Sequence, residues 1–134
     1  MKNMNAVGAD RLNYLSSIIF TAAIAVHKEM GPGLLESVYQ HCLLKELRSL
    51  DFNVETSVMV ELHYKGEILG KEYVIDVLVE NEIILELKAI ENILPVHEAQ
   101  IISYLRLANK RMGFLINFNV PLMKQGFRRF VNNL

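Results

Sequence analysis

The chain has 134 residues, of which 51% are hydrophobic and 22% charged, and its formal net charge is −1 with a pI near 6.4. This composition is typical of one globular domain with a substantial core and excludes a disordered chain. The near-zero charge gives no global basic field for a polyanion, so a nucleic-acid partner would need a local basic patch.

The N-terminus and the single cysteine bear on cellular location. The segment MKNMNAVGADRLN contains no apolar region of the kind found in signal peptides. The longest apolar run, IIFTAAIAV, is much shorter than the ~20 residues that a membrane helix needs. Cys42 has no second cysteine with which to pair, which suits a reducing compartment. The sequence therefore predicts a cytoplasmic protein that does not interact with a membrane.

Two helices are predicted in the N-terminal part of the chain. Residues 1–9 show no pattern and are expected to be flexible, whereas from Asp10 apolar residues recur at three- and four-residue steps. The GPG segment at 31–33 ends this helix, because proline cannot continue it and glycine accepts unusual dihedral angles. A second amphipathic helix is predicted to end at about Leu50.

The rest of the chain predicts a sheet and one further helix. Strands are expected, from alternating apolar residues, at Val54–Tyr64, Leu69–Val79, 82–90 and 113–118. A helix is expected from Pro95 to about Lys110, since proline suits the first helical turn. The tail MKQGFRRFV fits either a short strand or a helix. This order predicts a single α/β (α+β) domain over residues 10–134, built around one sheet.

Charged residues interrupt one face of the second and third predicted strands. Because side chains alternate along a strand, the opposite face is wholly apolar and comprises Ile75, Val77, Val79, Ile83, Leu85 and Leu87. The interrupted face carries Asp76, Glu86 and Lys88. If the turn holds an odd number of residues, such as 80–82, Asp76 lies directly opposite Glu86, with Cβ atoms roughly 5 Å apart.

Two carboxylates so close together on a partly apolar face must be neutralised. Protonation of one carboxyl, a salt bridge to Lys88 and a bound divalent cation would each achieve this. With a metal, Lys88 could hold or activate a water molecule beside a scissile phosphate. A cross-strand ion pair or a solvated edge is the plainer interpretation, and the residues alone leave these alternatives open.

Asp76 and the Glu86-Leu87-Lys88 triplet resemble the D…(D/E)-x-K signature of the PD-(D/E)XK nuclease superfamily. Upstream, GLLESVY matches the G-x-x-E-x-x-Y motif of GxxExxY family proteins, and PVHEAQIISYLRL is also similar to that family. Residue 75 is Ile where the superfamily name has proline. The resemblance runs from about Asn13 to the C-terminus. It implies a restriction-endonuclease-like fold, with a central mixed sheet flanked by helices and the acids at its centre.

The resemblance also implies roles for individual residues. Asp76 and Glu86, with Glu36, would bind Mg²⁺ or Mn²⁺, and Lys88 would be the catalytic lysine. Gln100 and Tyr104 match the Q-x-x-x-Y element that follows the site in RecB-type exonucleases, and they share one helix face. Glu36 has a plainer interpretation, since the helix dipole favours a carboxylate in the first turn. For His27 and His97 a structural or surface role is expected.

The resulting hypothesis is metal-dependent hydrolysis of phosphodiester bonds in DNA or RNA. The alternative is a catalytically silent binding or interaction module on the same fold, which the near-neutral charge and small size favour. Whether the chain is an enzyme is therefore open at this point. A homodimer is compatible with either function, because pairing would cover an exposed sheet edge or enlarge the surface that holds a polymer.

Overall fold

A computed structural model of the protein describes residues 4–133. Its elements, in chain order, are α1 (Met4–Met30), α2 (Glu36–Ser49), β1 (Val54–Tyr64), β2 (Glu67–Val79), β3 (Ile83–Lys88), α3 (Pro95–Leu107), β4 (Met112–Asn117), α4 (Met123–Gly126) and β5 (Phe127–Val131). The five strands form one sheet in the order β1-β2-β3-β4-β5. The β3–β4 pair is parallel and the other pairs are antiparallel. The predicted α/β class, with a mixed sheet flanked by helices, is confirmed.

Two apolar clusters cover the opposite faces of the sheet. In the larger cluster, α1 and α2 pack against β2, β3 and β4 through residues such as Leu15, Ile19, Leu43, Leu47, Val77, Leu85 and Phe114. In the smaller cluster, Leu105 of α3 packs against Ile75, Leu78 and Ile84. Because helices cover both faces, β3 and β4 are buried along almost their whole length. A charged side chain in β3 is therefore placed in the interior.

The two ends of the chain differ from the simplest sequence pattern. Helix α1 begins at Met4 rather than at Asp10, since extending an existing helix by a turn costs little. Residues 1–3 of the segment expected to be flexible lie outside the described residues. The tail contains both a helical turn, α4, and a strand, β5. Gly126 is the last residue of α4, and a Cβ atom there would lie 2.0 Å from the carbonyl oxygen of Asn117, so only glycine fits where the helical turn gives way to the strand.

The predicted position of Ile75 is wrong. It packs with Leu78 and Ile84 in the smaller cluster, on the face opposite to Val77. The regular alternation of side chains between the two faces of β2 is therefore broken near Asp76. In the neighbouring strand, Ser57 lies between the partners of Ile75 and Val77 and has a positive φ of 52°. An irregularity of this kind reverses the facing of the residues on one side of it, which a period-two count cannot detect.

None of the helices in the described part of the chain is both long enough and apolar enough to cross a membrane.

Candidate metal centre

The β2–β3 hairpin brings Asp76 and Glu86 together in the middle of the sheet. Val79 pairs with Ile83 and Val77 with Leu85, so the turn holds residues 80–82. The next residues along the two strands are Asp76 and Glu86. Lys88 lies two residues beyond Glu86 and shares its face of β3. Since β4 continues the sheet beyond Glu86, this strand cannot expose its charges at an edge.

Glu86 is a buried carboxyl with an unsatisfied oxygen. Its residue is only 7% exposed, and its Oε1 has no hydrogen-bond partner within residues 4–133. Burial, followed by the interactions with the Asp76 side chain, raises the pKa of Glu86 from its ordinary value near 4.5 to about 9. The Lys88 ammonium opposes this rise but does not cancel it. As the site stands, the carboxyl therefore holds its proton at neutral pH, and a cation would displace that proton.

Glu36 reaches the region of Asp76 and Lys88 from the N-terminus of helix α2. It is the first residue of α2 and follows an extended Leu35. Glu36 is an exposed residue, but partial desolvation raises the pKa of its carboxyl, the Asp76 carboxylate raises it further, and the Lys88 ammonium lowers it. The carboxyl of Glu36 thus lies within the electrostatic reach of both Asp76 and Lys88. As the side chains stand, no group of three His, Cys, Asp or Glu residues among those described is arranged to hold a metal ion.

Helix α3 places Tyr104 beside the acids and leaves Gln100 exposed. Tyr104 is half-buried, and burial, then Glu86 and Asp76, raise the pKa of its hydroxyl. Gln100 lies one turn earlier on the same helix, with its side chain in solvent. The structure therefore brings Asp76, Glu86, Lys88 and Tyr104 into one region, within the electrostatic reach of Glu36. Gln100 shares the helix of Tyr104, but its exposed side chain is not brought into contact with the acids.

Tyr73 is a residue of this region that the sequence analysis missed. Its ring stacks on the ring of Tyr104, with centroids 4.5 Å apart and planes at 10°. Its hydroxyl donates a 2.8 Å hydrogen bond to the carbonyl oxygen of Tyr104. Burial, followed by Tyr104 and Glu86, raises the pKa of Tyr73 to about 12. The sequence does show a tyrosine three residues before Asp76. A period-two count places it on the face opposite to α3, however, because the break in alternation near Asp76 cannot be seen in the sequence.

Asn117 was also missed, although its role is to fix the chain. It is buried, and it pairs with Lys88 across the β3–β4 ladder. Its side-chain amide donates to the carbonyl oxygen of Ile90 at 2.9 Å and accepts from the Ile90 N–H at 3.1 Å. These bonds hold the segment that leaves β3 directly after Lys88.

The two histidines considered above form contacts that stabilise the fold. His97 Nδ1 accepts a hydrogen bond from the Leu94 N–H at 2.9 Å and so caps α3. His27 is buried, and its Nε2 lies 2.8 Å from the carbonyl oxygen of Val120. Both observations agree with the structural role expected for them.

Comparison with known proteins defines the class of this chain. A family model of the PD-(D/E)XK nuclease superfamily matches residues 13–130. The chain therefore belongs to that superfamily, whose nucleases generally depend on a divalent metal ion. Searches of curated proteins and of solved structures gave no significant match.

The residues of the site fit a divalent cation. The unpaired Oε1 of Glu86 is a buried hard donor, and the Asp76 carboxylate lies beside it. Oxygen ligands of this kind suit Mg²⁺ and Mn²⁺. Mg²⁺ is typically held by one or two carboxylates, with waters and substrate phosphates completing its shell, so a third protein carboxylate is not required.

Proposed function

We propose that the protein is a metal-dependent nuclease that hydrolyses phosphodiester bonds in DNA or RNA. The observation that carries this proposal is the buried Glu86 carboxyl, with an unpaired oxygen and with Asp76 next to it. A stable fold gains nothing from such a pair unless a ligand completes it. Membership of a nuclease superfamily supports a nucleic acid as the substrate.

In this proposal the roles follow from the chemistry of each side chain. Asp76 and Glu86 hold Mg²⁺ or Mn²⁺, and Glu36 adds a further carboxylate. A divalent ion bound there would polarise the phosphoryl group and supply a nucleophilic water at neutral pH. Lys88 contributes a positive charge beside the carboxylates, where it orients the attacking water or stabilises charge on the phosphate. Tyr104 closes one side of the site, and Gln100 contacts substrate from the rim.

The motif GLLESVY supports a finer assignment to the GxxExxY family. Gly33, Glu36 and Tyr39 occur in that order, and Glu36 is the member of the motif that approaches the acids. The single cysteine, which is not in a disulfide, agrees with a cytoplasmic location.

A basic side chain is available for a phosphate near the site. Along the sheet, Glu86 pairs with Leu115, and Leu115 pairs with Arg128, so Glu86 and Arg128 share a face two strands apart. The guanidinium of Arg128 is half-exposed and forms an ion pair with Glu98 of α3. Because a half-exposed ion pair contributes little free energy, the Arg128 guanidinium can exchange the Glu98 carboxylate for a substrate phosphate.

The experiment that tests the proposal is cleavage of labelled single- and double-stranded DNA and RNA by the whole chain. Each substrate is incubated with Mg²⁺, with Mn²⁺ or with EDTA. The proposal expects metal-dependent cleavage of at least one substrate and none in EDTA. Absence of cleavage from every combination, by protein shown to be folded, would contradict it.

A second candidate function is that of a binding or interaction module, whose partner is either a second copy of the chain or another protein. The outer part of the β1–β2 hairpin exposes large apolar side chains, namely Met59, Tyr64, Ile68, Leu69 and Val74. Such a surface suits a protein partner better than a phosphate backbone. Sedimentation of wild type and Ile68→Lys tests the homodimer: a dimer that dissociates in the variant supports it, and a monomeric wild type contradicts it.

A further inference from the structure

The hydroxyl of Tyr39 closes the loop that precedes α2. It accepts a hydrogen bond from the Leu34 N–H at 3.0 Å and donates one to the carbonyl oxygen of Gly31 at 2.6 Å. The loop needs such a clamp, because both Gly31 and Gly33 have positive φ angles, of 71° and 94°. Tyr39 is itself 0% exposed, so its hydroxyl is committed to these two groups.

The spacing of the motif explains how Tyr39 reaches the loop. Side chains on a helix tilt toward its N-terminus, so a residue in the second turn covers the turn before it. Glu36 begins α2, and Tyr39 follows it by three residues. The ring of Tyr39 therefore runs back beneath the segment that delivers Glu36.

The other contact of Tyr39 leads to the strand that carries Lys88. Its ring stacks on Phe118, with centroids 4.5 Å apart and planes at 5°. The N–H of Phe118 donates a 2.9 Å hydrogen bond to the carbonyl oxygen of Lys88. One side chain thus joins the loop before Glu36 to the end of β3.

We propose that Tyr39 is a positioning residue of the metal centre, which directs the Glu36 carboxylate toward the acids by fixing the loop at 31–35 to the end of β3. This inference rests on the proposed metal-binding function but assigns a role to a residue that need not touch metal or substrate. Among Gly33, Glu36 and Tyr39, only Glu36 then meets the ion, and the other two set its position.

Isothermal titration with Mn²⁺ tests this on wild type, Tyr39→Phe, Glu36→Gln and the double variant. Tyr39→Phe keeps the ring stack and removes only the hydroxyl. It should weaken Mn²⁺ binding about tenfold, as loss of an outer-shell partner commonly does. Because Tyr39 acts through Glu36, the double variant should bind no more weakly than Glu36→Gln alone. Tyr14→Phe is the control, since Tyr14 is 63% exposed, and it should bind as wild type does.

The other outcomes are distinguishable. A lower Tm for Tyr39→Phe with unchanged Mn²⁺ affinity would show a purely structural tyrosine and would overturn the inference. The inference would also be overturned if Tyr39→Phe weakened Mn²⁺ binding equally in the wild-type and Glu36→Gln backgrounds. If Glu36→Gln binds Mn²⁺ with wild-type affinity but Glu86→Gln does not, the inference fails while the proposed metal centre stands. If wild type binds no Mn²⁺, both fail.

A second variant keeps the test decisive should Tyr39→Phe fail to fold. Gly33→Ala strains the loop at its φ of 94°, and the added Cβ meets no atom within 4 Å. It should weaken Mn²⁺ binding only when Glu36 is present. Wild-type affinity in folded Gly33→Ala, or an equal loss in the Glu36→Gln background, would overturn the inference.

Discussion

Tyr73 donates its hydroxyl hydrogen bond to the main chain of the residue on which its ring stacks, Tyr104. This double contact joins β2 to α3 beside the buried Glu86, whose ionised form raises the pKa of both phenols. Helix α3 is therefore fixed over the acids by an aromatic pair.

The two tyrosines should respond differently to the same substitution. Tyr73→Phe removes the hydrogen bond to Tyr104 and should lower the free energy of unfolding by about 1 kcal/mol. Tyr104→Phe keeps both the stack and that bond, since the acceptor is a main-chain oxygen, and should leave stability nearly unchanged. Urea denaturation of both variants checks this, and equal losses would contradict the arrangement.

Glu86→Gln should stabilise the metal-free protein. The substitution removes a carboxyl that is buried beside Asp76 while keeping its shape. In EDTA at pH 7.5 we expect Tm to rise by at least ~3 °C, a shift that corresponds to about 1 kcal/mol in a domain of this size. The exposed Glu91→Gln is the matched control and should leave Tm unchanged. A fall in Tm for Glu86→Gln would mean that the carboxylate stabilises the fold.

Stability of the metal-free protein should depend on pH with a definite sign. The pKa of Glu86 is raised in the folded state to about 9, so between about pH 4.5 and pH 9 the folded chain holds a proton that the unfolded chain has lost. The stability that this group contributes is thus complete below pH 4.5 and falls as the pH rises toward 9, by at most about 1.4 kcal/mol per pH unit. Denaturation in EDTA across this range checks the slope. Glu86→Gln should flatten it, and an unchanged slope in that variant would contradict the assignment.

Lys88→Ala should separate metal binding from catalysis. The Lys88 ammonium lowers the pKa of both Glu36 and Glu86, so it lies near both carboxyls. Removing a positive charge should leave Mn²⁺ affinity unchanged or increased, whereas cleavage should fall about 100-fold or more. Titration with Mn²⁺ and single-turnover cleavage measure the two effects. Lost Mn²⁺ binding in folded Lys88→Ala would instead indicate a structural role for the lysine.

Asn117→Ala should destabilise the fold strongly. The Asn117 amide is the partner of both the N–H and the carbonyl oxygen of Ile90, and the residue is 3% exposed. Loss of these bonds in a buried site should cost about 2 kcal/mol. Chemical denaturation beside Asn119→Ala, where only the main-chain N–H bonds to Asn117, provides the comparison. Equal stability of the two variants would contradict this role.

The sheet could be predicted well where a local pattern determines it. The limits of β1 match the prediction, because a run rich in β-branched residues extends from Val54 to a YKGE turn. The 80–82 turn and the closeness of Asp76 to Glu86 follow from the same counting. The candidate roles of Glu36 and Tyr104 came instead from the resemblance, since nothing in their spacing connects them to the hairpin.

Features that depend on contacts between distant segments were not predictable. The break in alternation near Asp76 reverses the facing of Ile75 and brings Tyr73 to α3, and it involves Ser57 in the neighbouring strand. The split of the tail at Gly126 follows from its close approach to Asn117. Likewise, the apolar position of Tyr39 indicates burial but cannot show where its hydroxyl goes.

The central claim is that the Asp76–Glu86 pair holds the ion that drives phosphodiester hydrolysis. The most direct measurement is the Mn²⁺-dependent cleavage rate of wild type, Glu86→Gln and Glu91→Gln on the substrate that wild type cleaves best, with folding of each verified. We predict that Glu91→Gln cleaves at the wild-type rate and that Glu86→Gln loses cleavage altogether. Cleavage by Glu86→Gln at the wild-type rate would contradict the claim.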